Sequence, residues 1–173
     1  MDAIQNILTR RSVKKYRSDP VPKELIEKIV EAGTYAASGL NKQSPIILAV
    51  TDPEVRDRLS KLNMGKDPFK RADPFYGAPE VLVVLADKSV PTYVYDGSLV
   101  MGNLLLAAHA LGLGACWIHR AKETFELPEG KALLASLGIE GEYEGIGNCV
   151  IGYPDGELPA TKPRREDRIY YVE

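Results

Sequence analysis

Apolar residues recur along the chain with helical and with strand spacing, but the longest apolar segment has no period. Residues 99–111, LVMGNLLLAAHAL, are apolar or small at nearly every position. A helix over this segment has no polar stripe and is predicted to be buried all round. Counted from Asp96, whose carboxylate predicts an N-cap, it is about 24 Å long, too short for a bilayer, and Asn103 and His109 would sit badly in lipid. It is therefore expected in the core, or shared with a second subunit. Gly112 and Gly114 supply the left-handed or close-approach conformations that end a helix. Ala115, Cys116, Trp117 and Ile118 then read as a short buried strand.

The other elements follow from the same spacing rules. Ile4, Ile7 and Leu8 predict a short amphipathic helix over 3–8 with one buried face, and Leu25, Ile26, Ile29 and Val30 predict another from Pro22 to about Tyr35. Asp52-Pro53 opens a helix to about Leu62, with Val55, Leu59 and Leu62 as its buried row. Pro128 opens one that Gly138 ends. Residues 45–50 are a short apolar run with strand character, residues 80–86 are apolar on both faces as in the middle of a covered sheet, and residues 142–151 approach and form a further strand. Residues 36–44 form a loop of small and amide residues. Residues 63–77 have no sustained period and are predicted to be a binding loop or roof carrying Phe69, Phe75 and Tyr76. The polar, proline-rich tail ends in Ile169 to Val172, which have strand propensity and are expected to dock.

Composition narrows the function classes. A chain of 173 residues suits one domain, 1–173. Lys plus Arg (22) nearly balances Asp plus Glu (24), which gives no general reason to expect nucleic-acid or membrane partners. Cys116 and Cys149 form no CxxC or zinc spacing and read as free thiols of a reducing compartment. The first residues lack the pattern of a signal peptide. A cytoplasmic protein is expected.

The candidate chemistry lies in two loops and the tail. Arg10-Arg11-Ser12-Val13-Lys14-Lys15-Tyr16-Arg17 holds five positive charges in eight residues. Without context this would be a solvated basic turn, but Val13 and Tyr16 argue for an extended, partly buried segment. Alternation then directs Arg10, Ser12 and Lys14 to one side, where they suit a phosphate. Ser38, Asn41 and Gln43 are uncharged donors and acceptors next to a core strand, suited to a heteroaromatic ring. A second basic cluster, Lys162-Pro163-Arg164-Arg165, lies in the tail.

Several familiar sites are excluded. Gly112-Leu113-Gly114 follows a helix and Gly145-Ile146-Gly147 leads into a strand, the wrong context for a dinucleotide loop. There is no Walker sequence. His109 and His119 lie on different elements with no carboxylate at ligand spacing, so no metal site is expected, and His109 reads as a satisfied core histidine. No G-x-S-x-G elbow appears. No catalytic side chain is assigned.

Taken together, these segments resemble the nitroreductase family of flavin mononucleotide (FMN) oxidoreductases over nearly the whole chain. Arg10, Arg11, Ser12 and Lys14 resemble its N-terminal flavin motif, whose basic residues and serine bind the ribityl phosphate and whose lysine lies by the pyrimidine end of the ring. Ser38, Asn41 and Gln43 match its small-residue loop, which reaches the flavin from the partner subunit; Ile46 stands where the family usually has an aromatic. The stretch from Asp96 resembles the central dimer helix, and Trp117, Ile118, His119 and Arg120 the corner whose backbone approaches flavin N5 and O4. Lys162 and Arg164 resemble the Lys-x-Arg that completes the phosphate site before the tail crosses to the other subunit. Lys66 and Lys70 are candidates for a further lysine on the ring.

The resemblance implies an α+β, three-layer fold with a mixed, mainly antiparallel central sheet flanked by helices. It also implies a homodimer with a central interface helix and an exchanged C-terminal tail. The expected activity is reduction of nitroaromatic, quinone or related planar acceptors by NADH or NADPH through bound FMN, in a ping-pong cycle. A specialised flavin enzyme of the same fold, such as a dehalogenase or a biosynthetic dehydrogenase, and a non-catalytic flavin-binding module are the alternatives. Reduced flavin carries negative charge near N1 and the C2 carbonyl, which a cation such as Lys14 would favour. Hydride transfer belongs to the flavin, so the lack of a protein nucleophile is expected.

Overall fold

The computed structural model of the chain describes residues 2–65 and 72–173. Its elements run in the order α1 (Ala3–Thr9), α2 (Lys23–Thr34), β1 (Pro45–Val50), α3 (Pro53–Met64), β2 (Glu80–Asp87), α4 (Tyr93–Ala110), β3 (Gly114–Ile118), α5 (Ala121–Glu126), α6 (Pro128–Ser136) and β4 (Tyr143–Gly152). The strands form one sheet in the order β1-β2-β4-β3, and each pairing is antiparallel. The parallel component of the expected mixed sheet is the bridge of Ser12 to Ala115 along the β3 edge.

The alternation of side chains along a strand divides the core into two. Val81, Val83 and Leu85 of β2 face one side and pack with Leu59 of α3, Phe125 of α5 and Leu134 of α6. Leu82 and Val84 face the other side and pack with Ile29 of α2 and Met101 and Leu104 of α4. These five β2 residues are fully buried, because helices cover both faces of the sheet. The result is the expected α+β arrangement of helix, sheet and helix layers.

Local chemistry explains most element ends. Asp2 and Asp52 accept the Gln5 and Val55 N–H at 2.9 Å, capping α1 and α3. Gly112 has φ +79° and closes α4, with Leu113 N donating to Ala108 O at 2.9 Å. Gly114 permits a close approach, since a Cβ there would lie 2.8 Å from the Val13 side chain.

Four expectations are corrected. Helix α4 begins at Tyr93, so Asp96 lies within its first turn and does not cap it. The apolar row of α1 is not buried: Ile4, Ile7 and Leu8 are all exposed. The short polar helix α5, AKETFE, was not predicted. Ile169 to Val172 form no strand within the chain and are exposed.

Candidate functional site

Segment 10–14 takes the extended form that its alternation predicts. Val13 and Tyr16 are buried while Ser12 and Lys14 face outward, and Val13 N donates to Ala115 O at 3.0 Å. The segment is thereby pinned along the free edge of β3. The Ser12 hydroxyl lies within hydrogen-bond reach of the Cys116 thiol. Burial pushes that thiol's pKa up, opposed by Ser12 and by the positive charges of Lys14 and Arg10. Lys14 Nζ lies 5.7 Å from the centre of the Tyr76 ring.

Arg10 carries the strongest sign of an anion site. Its Nη1 is buried without a hydrogen-bond partner, a costly state for a charged donor that no anion answers. His109 titrates below its ordinary value, first through burial and then through the charges of Arg10 and Arg11. His109 is thus only half-buried and not a core histidine, and it is bonded to Thr9 Oγ1 at 2.9 Å.

The two ends of the chain meet at this edge. Arg11 donates to Leu8 O, to Arg10 O and to the Thr161 hydroxyl. Lys15 and Asp155 form an ion pair at 2.6 Å, backed by Asp155 N donating to Lys15 O. The basic cluster at Lys162 and Arg164 therefore begins next to the Arg10–Lys14 segment, and its side chains are exposed.

At the end of β3, Ile118 is buried, whereas Trp117 and His119 are exposed. Gly147 makes room for the indole, because a Cβ there would lie 2.3 Å from Trp117 Nε1. Arg120 adopts a left-handed conformation, φ +75°. Its side chain turns back to α3 and donates to Met64 O at 3.1 Å, so only the backbone of this residue is presented at the corner.

The Ser38, Asn41 and Gln43 loop is also preorganised, but elsewhere. Leu40, Asn41 and Gln43 all have positive φ, an arrangement that costs of order 1–3 kcal/mol per residue and needs external support. Asp96 supplies it: its carboxylate accepts Gly39 N at 3.0 Å, Ser44 Oγ at 3.2 Å and Thr92 Oγ1 at 2.9 Å. Gln43 N donates to Ser38 Oγ and Gln43 Nε2 to Asn41 Oδ1. This loop enters β1, and β2 and β4 separate β1 from β3. Within one chain it does not join the other candidate residues.

The expected roof is partly corrected. Phe75 is fully buried beneath the Arg56 guanidinium and roofs nothing. Tyr76 is half-buried. Lys66, Phe69 and Lys70 lie outside the described residues. The sequence reading also missed two buried amides near the corner. Asn63 Nδ2 donates to His119 O at 2.8 Å, and Asn148, paired in register with Ile118, has a buried Nδ2 without a partner. A polar residue inside the apolar strand CVI-flanking segment was the available signal for Asn148; Asn63 had none, because its partner is distant in sequence.

The Nitroreductase family model matches residues 7–153 of the chain. A protein of Methanothermobacter thermautotrophicus with the provisional name NADH dehydrogenase/NAD(P)H nitroreductase is 32% identical over 146 residues, covering 75% of this chain and 71% of its own. The NADPH-flavin oxidoreductase of Vibrio harveyi is 30% identical, with 94% of this chain and 70% of that protein covered. Among solved structures, a nitroreductase with bound FMN from Bacteroides fragilis superposes with a TM-score of 0.87 at 27% identity, covering 100% of both chains.

Proposed function

The chain belongs to the nitroreductase family, and from that premise we propose that it is an FMN-dependent NAD(P)H oxidoreductase acting on planar acceptors such as nitroaromatics or quinones. The observation that carries the reading is the buried, unpaired Nη1 of Arg10 beside Ser12 and Lys14. A phosphate dianion satisfies such a donor set, and the residues present therefore fit the cofactor.

In this reading Arg10, Arg11 and Ser12 hold the phosphate, with Lys162 and Arg164 closing over it from the tail. Lys14 carries positive charge to the pyrimidine end, and the backbone of Trp117, Ile118, His119 and Arg120 lines the reactive edge of the ring. When bound, FMN supplies hydride and electron transfer between NAD(P)H and the acceptor. The chain contributes binding, orientation and charge. NAD(P)H and the acceptor use one open face in turn, a ping-pong cycle.

The remaining site residues require a second copy. Ser38, Asn41 and Gln43 enter the sheet at its β1 edge, away from the β3 edge where the other residues gather, so they reach the flavin of a partner subunit. The exposed apolar residues of α1 and Leu99 of α4 supply a surface for the homodimer. The exchanged tail has a fitting groove: β1 is an edge strand, and beside it lies a cleft of about 610 Å³ walled by Val21, Ile26, Val30 and Ala49. Glu27 and Glu31 line this cleft, with Lys23 paired to Glu27 at 3.5 Å, and its apolar walls suit the Ile169-Tyr170-Tyr171 end of the tail. Glu80 is 3% exposed, with Oε1 accepting Val21 N and Oε2 unpaired. Residues 1–173 act as one FMN-binding domain, and the free thiols Cys116 and Cys149 suit a reducing cytoplasm.

The absorption spectrum of the purified protein tests the reading. Bound flavin, or uptake of added FMN, is expected, with bleaching by NAD(P)H and rapid reoxidation by menadione. Protein that neither carries nor binds FMN overturns it.

A further inference from the structure

The corner after β3 is held by more bonds than a loop turn requires. Arg120 is a non-glycine residue at φ +75°, a conformation that persists only when its surroundings over-determine it. Asn63 Nδ2 donates to the preceding carbonyl, His119 O, at 2.8 Å. Arg120 Nη1 donates to Met64 O at 3.1 Å. Thr124 N and Thr124 Oγ1 donate to Arg120 O at 3.1 and 2.9 Å. Asn63 is 3% exposed and lies one residue before Met64, at the end of α3. Two successive residues of α3 thus grip the two residues of the corner. At Gly65 a Cβ would come within 2.7 Å of the Arg120 guanidinium, so the fit between the two segments is tight.

Peptide planarity turns this grip into a directional device. The His119–Arg120 peptide is trans, since the described residues contain no cis bond, and in a trans peptide the carbonyl and the N–H point in opposite directions. With the His119 carbonyl held toward α3, the Arg120 N–H faces away from α3. We propose that Asn63 is a positioning residue that fixes the His119–Arg120 peptide with its N–H toward the flavin, so that Asn63 tunes the cofactor's reduction potential without touching it. The inference rests on the flavin reading above. A preorientated N–H aimed at a carbonyl oxygen of the ring would stabilise the electron density added there on reduction more than it stabilises the oxidised ring. Its orientation therefore shifts the balance between the two states, whereas mere support of the fold would weaken both equally.

The test compares wild type with Asn63→Leu, which keeps the branched shape of the side chain, though not its volume, and removes the donor. FMN affinity is measured for each, and the midpoint potential of the bound FMN by equilibration with redox dyes. The expected result is a preference for reduced over oxidised FMN lowered by about tenfold, which is about 30 mV for a two-electron couple. Asn63→Ser, whose hydroxyl is too short to reach the carbonyl, is expected to shift the potential in the same direction, and it serves if the leucine variant does not fold. A folded, FMN-loaded variant with the wild-type potential overturns the inference, as does equal weakening of both redox states. Wild-type protein that binds no FMN defeats the flavin reading first, before any variant is compared, and this inference falls with it.

Discussion

The Arg56 guanidinium meets the Asp73 carboxylate at 2.5 Å on the inner side of α3 and ties the end of the long loop to the helix. Asp73 also accepts Ser60 Oγ at 2.6 Å, Phe75 N at 2.9 Å and Gly77 N at 2.7 Å. Arg56 donates in addition to Ala78 O and covers the Phe75 ring. The segment leading into β2 is thus fixed by one carboxylate, and that segment carries Tyr76 to Lys14.

Asp73→Asn is expected to destabilise the fold by about 2–4 kcal/mol, because Arg56, a largely buried charge, is left with a weakened partner at position 73 and only the exposed Asp57, at 2.9 Å, as a carboxylate. The pH dependence has a definite sign. Burial alone would raise the Asp73 pKa, but the bonds from Arg56, Ser60, Phe75 and Gly77 outweigh it and hold the carboxyl below its ordinary value. A lowered folded-state pKa contributes stability above the unfolded value, which is lost as pH falls through the folded one. The resistance of the wild type to urea should therefore fall below about pH 4, and Asp73→Asn should flatten that slope. An unchanged slope would assign the acid sensitivity to other carboxylates.

This hub also explains why part of the molecule could be read from sequence and part could not. The unbroken apolar run at β2 identifies itself, because burial on both faces leaves no polar side. The run at α4 identifies a helix but not its burial, since within the chain only Val100, Met101, Leu104 and Ala108 of its apolar side chains are in the core and Leu99 is exposed. The predicted row of α3, Val55, Leu59 and Leu62, is rotated in the structure toward Arg56, Leu59, Ser60 and Asn63. Those polar residues are buried because Asp73 and the His119 carbonyl meet them, and both contacts are tertiary. Asp96 was assigned to the right helix for the wrong task, since its partners Gly39 and Ser44 lie more than fifty residues away. Helix α5 is too short and polar to announce itself; it forms where β4 offers Gly145 as a seat. The basic segment 10–14 was legible because its alternation already encodes which side is free.

Arg10→Ala and Arg164→Ala are each expected to weaken FMN binding by about 1.5–3 kcal/mol, the loss of one charge-assisted contact. Fluorescence titration of apoprotein with FMN reads the change. Arg10→Ala also removes a charge that holds the His109 pKa down, so the His109 imidazole should titrate at higher pH in this variant by NMR. Undiminished FMN affinity in both variants would move the phosphate site elsewhere.

Truncation before Ile169 is expected to loosen the proposed dimer, since it removes the aromatic end of the tail that the proposed exchange would seat in the β1 groove. Sedimentation velocity over a dilution series should show monomer appearing at higher concentration than in the full chain. Glu80→Gln keeps the shape of that groove and removes its buried acid, whose pKa burial raises against the opposing Val21 N–H. A truncated chain that remains as tight a dimer as the full one would argue against tail exchange.

Two glycines of β4 offer a graded test of how the corner is seated. A Cβ at Gly147 would meet the Trp117 indole at 2.3 Å and the Met101 side chain at 2.9 Å, whereas one at Gly145 would meet the backbone of Ala121 at 2.3 Å. A side chain can swing away, but the first residue of α5 can move only with the helix. Gly147→Ala is therefore expected to cost about 1–3 kcal/mol and Gly145→Ala more, by the general behaviour of overpacked sites. Trp117 is the only tryptophan, so its fluorescence should shift in Gly147→Ala while the FMN affinity changes little. Gly145→Ala moves the start of α5, directly after Arg120, and should lower both thermal stability and FMN affinity. The reverse order of damage would mean that the indole, and not the α5 seat, holds the corner in place.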